Sequence, residues 1–228
     1  VAADTAMIEP VLTLGPIAIT DTVVTTWLIM CFIGLFAALV SRRLRADPSP
    51  LQAAVEGVVA TIEGAIAEVA PEHARRIMPF IGTIWIFLVV ANLVGLVPGL
   101  HSPTRDLSAT AALAILVFLS THWYGIRIQG PRAYLRHYLT PSPILIPFHI
   151  IGEITRTLAL AVRLFGNMMS LEMAALLILM VAGFLAPVPI LMLHIIEALV
   201  QAYIFGMLAL IYIAGAIQSQ LPPQRYKE

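Results

Sequence analysis

Three stretches of the chain read as spans. Thr22 to Ser41 runs without a charge, as does Met78 to Gly99, which carries Trp85 and Asn92. Ala109 to Ile126 follows, ending near Trp123 and Tyr124, residues suited to a headgroup boundary. A bilayer core of about 30 Å takes about 20 apolar residues as helix, so each stretch is long enough to cross. The first is longer than the apolar core of a signal peptide and reads as a retained span. It stops at Arg42, Arg43 and Arg45, followed by Asp47-Pro48-Ser49-Pro50, a cationic stop and a helix break. Leu51 to Ala70 has another pattern: Glu56, Glu63 and Glu68 interrupt the apolar residues. That is an amphipathic helix expected to lie on the membrane surface.

The second half is unusual in length. Phe148 to Ala186 contains no proline over 39 residues. As one helix it would be about 58 Å long, nearly twice the hydrocarbon thickness. Pro187 and Pro189 make a turn, and Ile190 to Ser219 would add a helix of about 45 Å. Two over-long helices joined by a tight turn predict a tilted hairpin. The expected fold is an all-α membrane protein in a single membrane domain over residues 1–228. It has three roughly perpendicular spans (22–41, 78–99, 109–126), a surface amphipathic helix (51–70), and a long tilted intramembrane helical hairpin (148–186 and 190–219). Residues 1–21 form an outer N-terminal segment and 220–228 a cytoplasmic tail.

Composition agrees. Hydrophobic residues make up 60% and charged residues 11%, against about 25% charged in a soluble domain. The net charge is zero, so nothing points to nucleic acid. The single cysteine, Cys31, lies in an apolar run and can form neither an internal disulfide nor a metal site. Ten of the thirteen Lys and Arg flank spans on one side: Arg42, Arg43, Arg45, Arg75, Arg76, Arg127, Arg132, Arg136, Arg225 and Lys227. The loop after the second span holds Arg105 alone. The positive-inside rule then puts the N-terminus outside and the C-terminus in the cytoplasm.

The hairpin carries the chemistry. Glu153, Arg156, Arg163, Asn167, Glu172, His194, Glu197 and Gln201 stand among Leu, Ile, Ala, Met and Phe. An ionisable residue at mid-membrane costs at least about 2.5–3.5 kcal/mol, so several imply water, partners or both. At 100° per residue, Arg163 and Asn167 share a face, while Glu172 is half a turn away and about 13.5 Å along the axis. Arg163 and Glu172 are therefore not expected to pair. His194, Glu197 and Gln201 make one polar stripe, which with Glu172 is suited to a shared wet cavity. Arginine stays protonated and acts as a fixed charge that attracts a carboxylate and repels a cation. Histidine and glutamate accept and release protons. Blander roles exist for each: helix pairing for Asn167 and Gln201, a buried hydrogen-bonding group for His194 and Glu172, simple water contact for Glu197, and an ion pair for Glu153 with Arg156. Asn92 reads as packing.

Leu160-Ala161-Val162-Arg163-Leu164-Phe165-Gly166-Asn167-Met168 resembles the arginine-bearing helix of subunit a of F-type ATP synthases. Gln201 to Phe205 resembles that family's last helix, Asn92 to Gly99 its second span, and Asp106 to Thr110 the start of its next helix; Pro141 to Pro147 before the hairpin also fits. The resemblance spans roughly residues 20–218. It implies the stator beside a rotating c-ring, with the peripheral stalk subunit b and the lipid bilayer as further partners. Arg163 would sit opposite the ring's carboxylate. Two offset aqueous half-channels would carry protons or sodium ions, with Glu172, His194 and Gln201 near the outer one and Asn167 between them and Arg163. Leu171 and the extra acid Glu197 depart from the family's pattern. An Ala- and Arg-biased composition suggests a bacterium, hence its inner (plasma) membrane. No cofactor is expected, and no catalytic site of its own: the chain has no G-x-x-x-x-G-K-[ST] loop and no H-E-x-x-H pair. A secondary transporter would show an internal repeat, and a lone ion channel would leave Arg163 without an anion.

Overall fold

The computed structural model describes residues 10–14, 17–42, 44, 48–97, 100–132, 134, 146–182 and 188–218. Two strands come first, β1 (Pro10–Leu14) and β2 (Ile17–Thr20), paired antiparallel with Leu14 opposite Ile17. Six long α-helices follow among the described residues: α1 (Asp21–Ser41), α2 (Pro50–Val69), α3 (Ala74–Val94), α4 (Leu107–Gln129), α5 (Ile146–Ala182) and α6 (Val188–Gln218). A 3-10 turn, Pro103–Arg105, stands between α3 and α4. The body of the protein is thus all helical, with a short β-hairpin ahead of it. The turn at Pro187, cations Arg43, Arg45, Arg136, Arg225 and Lys227, and the tail 220–228 lie outside the described residues.

Among the described residues five helices are long and apolar enough to cross a membrane: α1, α3, α4, α5 and α6. The chain is a multi-pass membrane protein. Its exposed apolar residues agree, since Trp27, Leu28, Phe32, Leu35 and Leu39 of α1 lie bare, a surface that suits lipid and not water. α2 keeps Glu56, Glu63 and Glu68 exposed and turns Ile62 and Ile66 inward. Ile66 is fully buried, and Ile62 lies against Gly82 of α3.

Local chemistry sets the ends. Ser49 caps α2 by accepting from Gln52 N, with Pro50 in the first turn, where its missing N–H costs nothing. Asp106 caps α4 by accepting from Ser108 N at 2.9 Å. Gly130, at φ 86°, ends α4 in a conformation open to glycine. α3 begins at Ala74, earlier than the apolar run suggests, because Arg75 and Arg76 extend it beyond the span. It ends at Val94, where the chain turns toward Ser102.

α6 is the central helix and packs on α3, α4 and α5. Ala198, Ala202, Ala209 and Ala214 are buried on it, small enough to let neighbours approach. At Gly206 the approach is closest: a Cβ there would lie 2.1 Å from Trp85 Nε1. The Trp85 indole stacks on Tyr203 with centroids 6.0 Å apart and donates to the Tyr203 carbonyl. Leu164, Met168, Phe205, Leu210 and Ile213 fill the core between the last two helices and the rest.

Two polar registrations fix the ends of the bundle. At one end Gln129 Nε2 donates to the carbonyls of Ala216 and Ile217, joining the last turns of α4 and α6. Toward the other end Asn92 Nδ2 donates to the Ala198 carbonyl, and Thr104 donates to Asn92 Oδ1 at 2.8 Å. Ser102 adds a hydroxyl contact to Thr104 and donates to the Ala91 carbonyl. This buried network pins the loop after α3 onto α3 and α6, in keeping with a packing role for Asn92.

Candidate functional site

α5 and α6 present the polar residues to different surroundings. Arg163 is exposed, while Leu160, Ala161 and Leu164 around it are buried against the bundle. Among the described residues its guanidinium has no ion pair and no hydrogen bond. Gly152, Ala159, Gly166 and Ser170 fall within about 60° of it around the helix. A Cβ at Gly152 or Gly166 would meet nothing within 4 Å. Small residues thus stand on Arg163's side of α5, a side that also carries Arg156, paired with Glu153, and the exposed Leu177.

Asn167 turns inward instead. Its Nδ2 donates to Gln201 Oε1 at 2.7 Å, tying α5 to α6 one turn from Arg163. Gln201 is 1% exposed and His194 5%. Gln201 Nε2 and His194 Nε2 are buried and, among the described residues, take no hydrogen bond. An unsatisfied buried polar atom costs about 1–3 kcal/mol, so such groups call for water. They stand on one stripe of α6, about 10.5 Å apart along the axis.

Glu172 has partners that the sequence pattern does not reveal. Its Oε1 accepts from Arg105 Nη1 at 2.7 Å and from His101 Nδ1 at 3.2 Å. Both come from the loop after α3, 67 and 71 residues away in the chain. The only sequence signal is that Arg105 is the lone cation of that loop. Glu172 and Arg163 are not paired, in agreement with their half-turn separation. The polar residues thus form two contact groups, His101 and Arg105 on Glu172 and Asn167 on Gln201, with His194 and Glu197 on the same helix as Gln201. Glu153 pairs with Arg156 at 3.3 Å, and the Arg156 guanidinium lies over the Tyr212 ring. Among the described residues no group of three or more His, Cys, Asp or Glu is placed to hold a metal ion.

Residues 23–214 match the family model described as ATP synthase A chain. Among similar proteins, ATP synthase subunit a 2 of Pelobacter propionicus is 69% identical, covering 90% of this chain and 90% of its own length. ATP synthase subunit a 1 of Hahella chejuensis is 68% identical over 90% of this chain and 87% of its own. ATP synthase subunit a of Legionella pneumophila is 59% identical over 90% of each.

Proposed function

The chain belongs to the ATP synthase A chain family, and from that premise we propose that it is the stator of the membrane sector of a rotary ATP synthase. It carries ions to and from the carboxylates of a rotating c-ring through two offset aqueous half-channels. The observation that carries this reading is the exposed Arg163, unpaired among the described residues, with Ala159 and Gly166 a turn to either side. A permanent cation facing hydrocarbon is costly. A cation facing an acid carried by a neighbouring helix is not, and small residues let that helix come close. An ionised carboxylate can face Arg163, whereas a neutralised one can face lipid. An ion arriving from outside neutralises the ring acid, which then turns through lipid. Arg163 forces release on return and blocks a direct leak.

The outer half-channel runs along Glu172, His194, Glu197, Gln201 and Asn167. The unsatisfied nitrogens of His194 and Gln201 support water along it. The subunit sits in a bacterial inner membrane, N-terminus outside and C-terminus cytoplasmic. α2 lies along the cytoplasmic surface. The peripheral stalk subunit b and the ring hold the subunit in the complex. α5, about 56 Å long, and α6, about 46 Å, lie tilted in a layer of about 30 Å.

A secondary transporter or a lone channel would work without these partners, so purification separates the readings. A tag on this chain brings down an oligomeric ring and nucleotide-hydrolysing subunits, and the complex in vesicles accumulates ions on ATP. A chain that purifies alone and still moves ions would overturn the stator reading.

A further inference from the structure

The contact of His101 with Glu172 lies outside the hairpin that holds the other polar residues. We propose, resting on the stator reading, that His101 is the outermost proton acceptor of the outer half-channel, and that Arg105 positions Glu172 to receive from it.

An ionised carboxylate oxygen only accepts, so the imidazole Nδ1 carries the hydrogen in the 3.2 Å contact. Nε2 is then the basic nitrogen of a half-exposed ring, 49% accessible. A proton taken at Nε2 makes an imidazolium. The Nδ1–H bond then breaks, an Oε1–H bond forms on Glu172, and His101 is neutral again. Imidazole is the side chain that makes such an exchange near neutral pH.

Arg105 acts through Glu172. Its Nη1 holds the same Oε1 at 2.7 Å, and the 3-10 turn that carries it is pinned by the Ser102, Thr104 and Asn92 network. The donors from one loop thus aim one oxygen. The other charged groups nearby are His194 and Glu197 of α6 and Asp106 at the start of α4, which is engaged with Ser108 N. Arg105 cannot itself relay a proton at physiological pH, so its part is to hold the carboxylate.

The test is ATP synthesis driven by an imposed pH difference in vesicles containing the whole complex, measured across external pH with saturating nucleotide. His101→Gln keeps a polar, exposed side chain and should leave the complex assembled. It is expected to lower the synthesis rate about tenfold at external pH near 7 and to remove one titration from the rate profile. Arg105→Gln should lower the rate at every external pH without removing that titration, and Arg105→Lys should recover part of it. An unchanged profile in His101→Gln, or synthesis driven by sodium alone with the same rate in both proteins, would overturn the proposal. The stator reading is scored separately on Arg163→Ala in the same vesicles: loss of transport there with a normal His101→Gln profile sinks only this inference.

Discussion

Asn92 and Glu172 show how differently a polar side chain can be held in an apolar bundle. Asn92 is fully buried, and its amide is satisfied at both ends by Ala198 and Thr104. Replacing it with leucine removes both hydrogen bonds, at about 0.5–1.5 kcal/mol each. Asn92→Leu should lower the thermal unfolding temperature of the detergent-solubilised complex; an unchanged temperature would remove the network from the account of stability. Glu172 is half-buried and held by charge. The sequence made the hairpin's charges stand out, because each is improbable in its apolar surroundings. It did not disclose which of them pair, since Arg105 and Glu172 meet across 67 residues and Asn167 and Gln201 across 34. Helical periodicity sorts faces within one helix and is silent between helices. That is why it separated Arg163 from Glu172 correctly and missed His101 and Arg105. It also left Asn167 beside Arg163, whereas the amide reaches α6.

At the scale of elements, hydropathy disclosed the five long apolar helices, because an uninterrupted apolar run is a strong and local signal, while α2 was legible from its amphipathic pattern. Ends were less legible. α3 takes in Arg75 and Arg76, and α4 runs to Gln129, because a helix continues past the bilayer core until a cap or a glycine stops it. The β-hairpin before α1 carries no such run and left no signal. Helix contact is decided by side-chain volume, and here glycine positions have opposite expectations. At Gly206 an added methyl meets Trp85, while at Gly34 of α1 it meets nothing within 4 Å. Gly206→Ala should destabilise by about 1–3 kcal/mol through overpacking. Gly34→Ala should be neutral or stabilising by up to about 1 kcal/mol, because alanine favours helix. Thermal unfolding of the two purified variants compares them directly, and equal shifts would contradict the packing described for α3 and α6.

The molecule as a whole has two chemically distinct ends. The loop with His101 and Arg105 meets Glu172 at one, and Gln129 meets the last turn of α6 at the other, near Arg127 and Arg132. That second end is the one we propose faces the cytoplasm, by the positive-inside rule. Between the ends, most polar groups of α5 and α6 turn toward the bundle or its loops. Arg163 alone of the proposed pathway residues on α5 stands exposed and unpaired among the described residues, with Gly166 and Ala159 beside it on its own face. The central claim is that this guanidinium answers a carboxylate on another, moving subunit. Its most direct measurement is ion accumulation by vesicles holding the intact complex with Arg163→Ala, driven by ATP. The account predicts that accumulation is lost while the ring and the nucleotide-hydrolysing subunits remain bound. Accumulation at the unmodified rate would contradict it.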